Sequence, residues 1–215
     1  GQAPARQAAL GAGLPLGVGC TTVNKMCGSG MKAVMLAHDQ IQADSSTIVV
    51  AGGQESMTNA PYLLPRARSG LRLGHADVID HMFLDGLEDA YEPGRLMGSF
   101  AEDCADHYSF SREDQDDYAI ESLTRATEAI ESGAFASQIT RVTVSTRRGD
   151  VTVDTDEQPQ TANIEKIPQL KPAFRKGGTV TPANSSSISD GAAALVLMRL
   201  SEAERGGHVP LARIL

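Results

Sequence analysis

The chain has 215 residues, 41% of them hydrophobic and 21% charged, which suits a soluble globular protein with a sizeable core. A formal net charge of -8 without a long basic run argues against nucleic-acid binding, and no apolar stretch approaches a membrane span. Three widely spaced cysteines, with no CxxC and no His/Cys cluster at metal-ligand spacing, point to a reducing, cytoplasmic setting and to no bound metal.

In chain order, residues 4–12 predict a short helix closed by glycine, and residues 18–24 a β-branched, extended run. Residues 28–43 place apolar side chains at 33, 34, 37 and 41, the spacing of a helix with one buried face. Residues 46–53, STIVVAGG, form a continuous apolar run ended by glycines, the pattern of a strand covered on both faces. Strand, helix and strand in that order predict a βαβ unit with a parallel crossover. Residues 58–96 read as loop, with Pro61, Pro65 and Pro93 and one short amphipathic piece at 78–90.

Two helices follow, 97–107 and 112–132, the second with Ser111 as N-cap and Gly133 as its stop. Its apolar stripe is Tyr118, Ala119, Leu123, Ala126 and Ile130. Residues 139–144 and 150–155 alternate around a turn and predict a hairpin. A polar connector over 156–178 leads to a buried strand at 190–198, a short helix at 201–207 and a further strand at 208–215. The expected organisation is α/β: residues 1–57 and 189–215 belong to one layered domain, and 58–188 form an insert.

Cys27 stands where the extended run meets the helix, between Met26 and Gly28. A helix N-terminus favours a thiolate, and flanking glycines permit a tight turn and close approach of a substrate. The Cys27 N–H is also a candidate oxyanion donor. Free cysteine is equally at home as a small buried hydrophobe, so spacing alone leaves nucleophile and structural turn residue side by side. Cys20 and Cys104 read as core. None of His38, His75, His81, His107 and His208 carries a flanking motif that marks a base for a thiol, and each reads as an ordinary histidine.

NKMCGSGMKAV (24–34), IVVAGGQESMTNAP (48–61) and GTVTPANSSSISDGAAALVLM (178–198), in this order and at these separations, resemble the thiolase family, closest to its acetyl-CoA acetyltransferase members. The resemblance runs over almost the whole chain and implies a thiolase-like fold whose insert is a loop domain covering coenzyme A. It implies that Cys27 accepts an acyl group from acyl-CoA as a thioester, which the enolate of a second acetyl-CoA attacks; thiolysis is the reverse. Ser186 matches a position that contacts the pantetheine chain, Phe174 an aromatic packing on CoA, and Met97 a methionine of the acyl pocket. No cofactor is implied beyond CoA thioesters as substrates, and the basic stretch 61–75 resembles an oligomerisation loop, so the full-length protein is expected to be a homo-oligomer.

The departures bear on function. The His-Met pair of short-chain biosynthetic members stands here as Leu96-Met97, and QPQTA (158–162) offers no basic residue for the CoA nucleotide. N-E-A-F, G-H-P-x-G and the late C-x-G motif, which carry the activating histidine and the acid/base cysteine, do not occur. The chain therefore resembles a middle segment of a thiolase, lacking the first strands and the C-terminal half, and is expected to be inactive alone. The rival readings are a broader-chain 3-ketoacyl-CoA thiolase, a cysteine hydrolase and a non-catalytic CoA-binding or assembly module.

Overall fold

Two units divide the chain, Gly1–Tyr62 with Ile188–Leu215 and Leu63–Ser187; the computed structural model describes residues 1–214. The first unit carries α1 (Pro4–Gly11), α2 (Ser29–Gln42) and β1 (Ile48–Ser56). The second carries α3 (Met97–Tyr108), α4 (Arg112–Glu131), the hairpin of β2 (Val142–Thr146) and β3 (Gly149–Val153), and a short α5 (Glu157–Thr161). The chain then returns to the first unit with β4 (Asp190–Met198) and α6 (Leu200–Arg205). Helices and strands are mixed in an α/β arrangement, and no helix among the described residues is long and apolar enough to cross a membrane.

In the first unit β1 pairs with β4 in antiparallel register, from Ile48 opposite Met198 to Ser56 opposite Asp190. The expected parallel crossover is therefore corrected. Residues 18–24 form no strand; at the start of this run the Val18 carbonyl accepts from Arg6 at 2.6 Å, as does Leu16 O just before it at 2.8 Å. The glycines expected to end β1 lie inside it. Nor are the strands covered on both faces. α2 lays Ala37 and Ile41 on Ala51 and Leu197, whereas Ile48, Val50, Leu195 and Val196 stay more than half exposed.

Arg199, just past β4, ties the layer together by donating to Ile41 O at 2.7 Å and pairing with Asp44 at 2.9 Å, so a cation closes the C-terminus of α2. At the other end of the sheet Asp190 accepts the Thr58 N–H at 2.9 Å, and that bond holds its carboxyl below the usual carboxylate range. Residues 208–214, expected as a strand, are irregular, and Leu215 lies outside the described residues.

In the second unit α4 begins with a capping box: the Ser111 hydroxyl accepts the Asp114 N–H at 3.0 Å, and Asp114 accepts the Ser111 N–H at 3.2 Å. Its buried face includes Asp116 and Ala119, not Tyr118, which is 78% exposed. Tyr118 lies one helical step off this face, which begins at Arg112 and runs through Asp116. Arg112 bonds Asp116 at 2.8 Å and reaches the Ile167 and Leu170 carbonyls at 3.1 and 2.9 Å, fastening the polar connector to the helix. That connector is less irregular than expected, containing α5 and a 3-10 turn at Ile164–Gln169.

Ser111→Ala is expected to lower the stability of this unit by about 1 kcal/mol in a urea titration near neutral pH. The hydrogen bonds from the Ser111 hydroxyl, then its N–H, keep the Asp114 carboxyl below its ordinary range. A depressed carboxylate stabilises above its unfolded pKa and loses that contribution as pH falls through the folded one. The gap between wild type and Ser111→Ala should accordingly narrow below about pH 4.

In the first unit the apolar side chains of Met31, Met35, Val50 and Val196 are exposed.

Candidate active site

Cys27 is exposed and precedes Gly28, the N-cap of α2. The turn that presents it is tied by two side chains acting on backbone. Asn24 Oδ1 accepts the Met26 N–H at 2.9 Å. The Ser29 hydroxyl accepts the Lys25 N–H at 2.9 Å and donates to the Met26 carbonyl at 2.7 Å. The Gly28 N–H reaches Lys25 O at 3.1 Å and the Ser29 N–H reaches Met26 O at 3.2 Å. Met26 is thereby held in the left-handed region at φ 52°, a conformation that costs an L-residue about 1–2 kcal/mol.

The helix start then lies backbone-to-backbone on the strand beside it. A Cβ on Gly53 of β1 would stand 3.5 Å from the Cα of Gly30 in the first turn of α2. No side chain caps α2. With the Ser29 N–H turned back to Met26, the N–H groups of Gly30 and Met31 are the first-turn donors left for an acceptor over the helix end.

A shallow, open hollow adjoins Cys27, lined by Met26, Met31 and Met35 with Lys25 and Lys32 beside them. No histidine or carboxylate lines it. Of the first unit's histidines, His38 contacts Asp39 at 3.3 Å and His208 lies against Gly206. His75, His81 and His107 belong to the second unit. Such a site can present a thiol and an apolar wall to an acyl group, but among the described residues of this unit it has no base of its own in the hollow.

The other residues singled out from the sequence, Met97, Phe174 and Ser186, lie in the second unit. Met97 opens α3 and is 43% exposed. The Phe174 ring lies over the next residue, Gly98, where a Cβ would come within 2.1–2.3 Å of its atoms. Phe174 and Met97 are thus brought to one end of α3, both partly exposed. Arg175 clips the same segment to α3 through Asp106 at 2.6 Å.

Ser186 is exposed and follows a loop tied by its own hydrogen bonds. Within that loop the Thr181 N–H donates to Asn184 Oδ1 at 2.7 Å, and Asn184 Nδ2 donates to Thr179 O at 3.0 Å. The loop hangs on Glu102, a fully buried carboxylate of α3 that accepts the Thr179 N–H at 2.9 Å and the Val180 N–H at 2.9 Å.

Glu102 was not among the residues picked from sequence; its signal is an acid spaced three positions before the buried Ala105 on one helix face. Two cysteine assignments change. Cys104, two positions beyond Glu102 on the same helix, is exposed rather than core. Cys20 is only half-buried, its sulfur lying between Arg6 and Val18 O. All three cysteines are unpaired. Among the described residues no group of three or more His, Cys, Asp or Glu side chains is placed to hold a metal ion.

Comparison with known proteins adds to this geometry. The family profile described as "Thiolase, N-terminal domain" matches residues 1–201. The chain is similar to the acetyl-CoA acetyltransferase of Pseudomonas aeruginosa, 50% identical over 216 residues that cover 100% of this chain and 55% of that protein. It is 52% identical to acetyl-CoA acetyltransferase 2 of Arabidopsis thaliana, with 100% of this chain and 54% of the relative covered. A solved structure of acetyl-CoA acetyltransferase from Syntrophomonas wolfei matches with a TM-score of 0.90 at 40% identity, over 98% of this chain and 53% of the other. The chain spans about half the length of the curated relatives it matches.

Proposed function

The chain belongs to the thiolase family, and on that footing we propose that it carries the nucleophile of a CoA-dependent acyltransferase, with Cys27 as the acyl acceptor. The observation that carries this reading is the exposed Cys27 thiol on a clamped turn at an uncapped helix start, beside an apolar hollow. In this mechanism Sγ attacks the carbonyl carbon of acetyl-CoA, an S–C bond forms, and the CoA thiolate leaves and takes up the proton lost from Cys27. The enolate of a second acetyl-CoA attacks the resulting thioester, releasing the cysteine and forming acetoacetyl-CoA; thiolysis runs the steps backwards. The names of the relatives support acetyl-CoA as the acyl donor.

We assign no further cofactor, since the thioester itself activates both the carbonyl and the α-carbon. In the same reading the second unit is the loop domain over CoA. Ser186 faces the pantetheine chain, Phe174 packs on CoA, and Met97 lines the acyl pocket. The histidine and second cysteine that move protons belong to the half of the relatives that this chain does not span. Alone, the chain is then confined to slow acylation of Cys27. A homo-oligomer in the full-length protein and a cytoplasmic site of action complete the proposal; three unpaired cysteines support a reducing compartment.

Prolonged incubation with acetyl-CoA, followed by intact-mass measurement and peptide mapping, tests this. The expected result is the mass of one acetyl group on Cys27 and none on a Cys27→Ala chain. Acetylation that persists in Cys27→Ala, or a wild-type chain that stays unmodified, would overturn the assignment.

A further inference from the structure

We propose that Ser29, acting with Asn24, is a positioning residue for Cys27: the two side chains hold Met26 left-handed and so fix the thiol at the start of α2. The inference rests on the reading of Cys27 as the acyl acceptor, and it adds a device that the reading does not need in order to be stated.

Met26 is 63% exposed, so packing of its own side chain does little to hold its strained backbone. The restraint comes from hydrogen bonds to both of its backbone groups. Its N–H is taken by Asn24, and its carbonyl by the hydroxyl and the N–H of Ser29. A serine hydroxyl has one proton to give and lone pairs to accept with. Ser29 uses both at once, accepting from Lys25 on the near side of Met26 while donating to Met26 itself.

Without that clamp, Met26 is expected to relax to the negative φ that L-residues prefer, a rotation of about 110°. Cys27 is the next residue, so this rotation displaces its backbone, and the thiol with it, from its place at the start of α2. The clamp and the strain are therefore two halves of one device. A glycine at position 26, which takes positive φ freely, would make the clamp unnecessary.

The test is the rate at which iodoacetamide labels Cys27 in the 215-residue chain, read by peptide mass spectrometry against the exposed Cys104 of the same molecule as internal standard. Ser29→Ala is expected to slow Cys27 roughly fivefold, the scale on which a left-handed residue is disfavoured once nothing holds it. Asn24→Ala should slow it in the same direction, while Ser29→Thr, which keeps the hydroxyl, retains the wild-type rate. The deciding variant is Met26→Gly with Ser29→Ala, expected to return Cys27 to the wild-type rate.

Ser29→Ala labelling at the wild-type rate would overturn the proposal, and so would a slow Ser29→Ala that Met26→Gly does not rescue. If Ser29→Ala alone fails to fold by circular dichroism, the double variant still decides: folded and fast supports the clamp, unfolded or slow refutes it. Acetyl transfer from acetyl-CoA on the same samples separates the two readings. A wild-type chain that alkylates at Cys27, and responds to these substitutions, but takes no acetyl group removes the acyl-acceptor role while leaving the positioning role standing.

Discussion

Glu102→Ala is expected to destabilise the second unit by about 3 kcal/mol, seen as a lower urea midpoint for the amides of Leu63–Ser187 in hydrogen exchange. A carboxylate taken out of water costs several kcal/mol unless its oxygens are filled by donors. At Glu102 they are filled: the Thr179 N–H reaches both oxygens at 2.9 and 3.1 Å, the Val180 N–H one of them at 2.9 Å, and the Thr179 hydroxyl lies at 3.3 Å. Arg175, at 3.8 Å, supplies the nearest cation among the ion pairs. Alanine would leave two backbone N–H groups without an acceptor in a place water does not reach, and would open a void beneath them.

Gly178 belongs to the same joint, since a Cβ there would lie 2.2 Å from Glu102 Oε1. Gly178→Ala should therefore be damaging in the wild type and much less so on top of Glu102→Ala, a non-additivity that measures the joint directly. Glu102→Gln, which keeps the shape but offers one acceptor oxygen in place of two, is expected between wild type and alanine. An alanine variant with the wild-type midpoint would show that the Thr179–Val180 loop is held by something else.

The second large effect is expected in the first unit. Gly52→Ala would put a Cβ 2.1 Å from the carbonyl oxygen of Ala193 and 3.0 Å from the Cα of Ala194. Both obstacles are backbone of the partner strand, and neither can rotate aside as a side chain would. The β1–β4 ladder would have to part at its centre, at a cost of about 3 kcal/mol. Gly53→Ala meets its nearest neighbour at 3.5 Å and should be far milder. Guanidinium titrations of the two variants, compared side by side, check the order; equal midpoints would mean that the ladder absorbs the methyl group by shifting.

These positions also show how far the sequence could be read. The α-helices other than α5 were legible within one or two residues because their signals are local: an apolar period, Ser111 before an acidic turn, Gly133 after the last turn. The pairing of β1 was not, because an apolar run says that a strand exists but not which strand lies beside it. Its partner comes from residues 190–198, far along the chain, while the carbonyls of 16 and 18 go to the Arg6 side chain.

At the candidate site Cys27 was visible from its glycines, and its assignment as nucleophile came from the family resemblance. The work of Asn24 and Ser29 was hidden, since it depends on the handedness of Met26, which no residue type announces. Glu102 was hidden for the opposite reason: an acid on a helix normally reads as a solvated face, and only the loop folded over it makes it core.

The first unit is discontinuous, and this has a consequence for how the chain is made. β1 leaves a ribosome long before β4, with the whole of Leu63–Ser187 in between. Until residue 199 emerges, the nine-residue strand Ile48–Ser56 lacks its full ladder partner and the Arg199 tie to α2. Closing an unstructured loop of that length costs roughly 2 kcal/mol more than closing one of about ten residues, so prior folding of the intervening unit eases the joining. The unit begun first should thus be the last to be completed, after Leu63–Ser187 has folded, and the nascent β1 is the segment most in need of a chaperone during the wait.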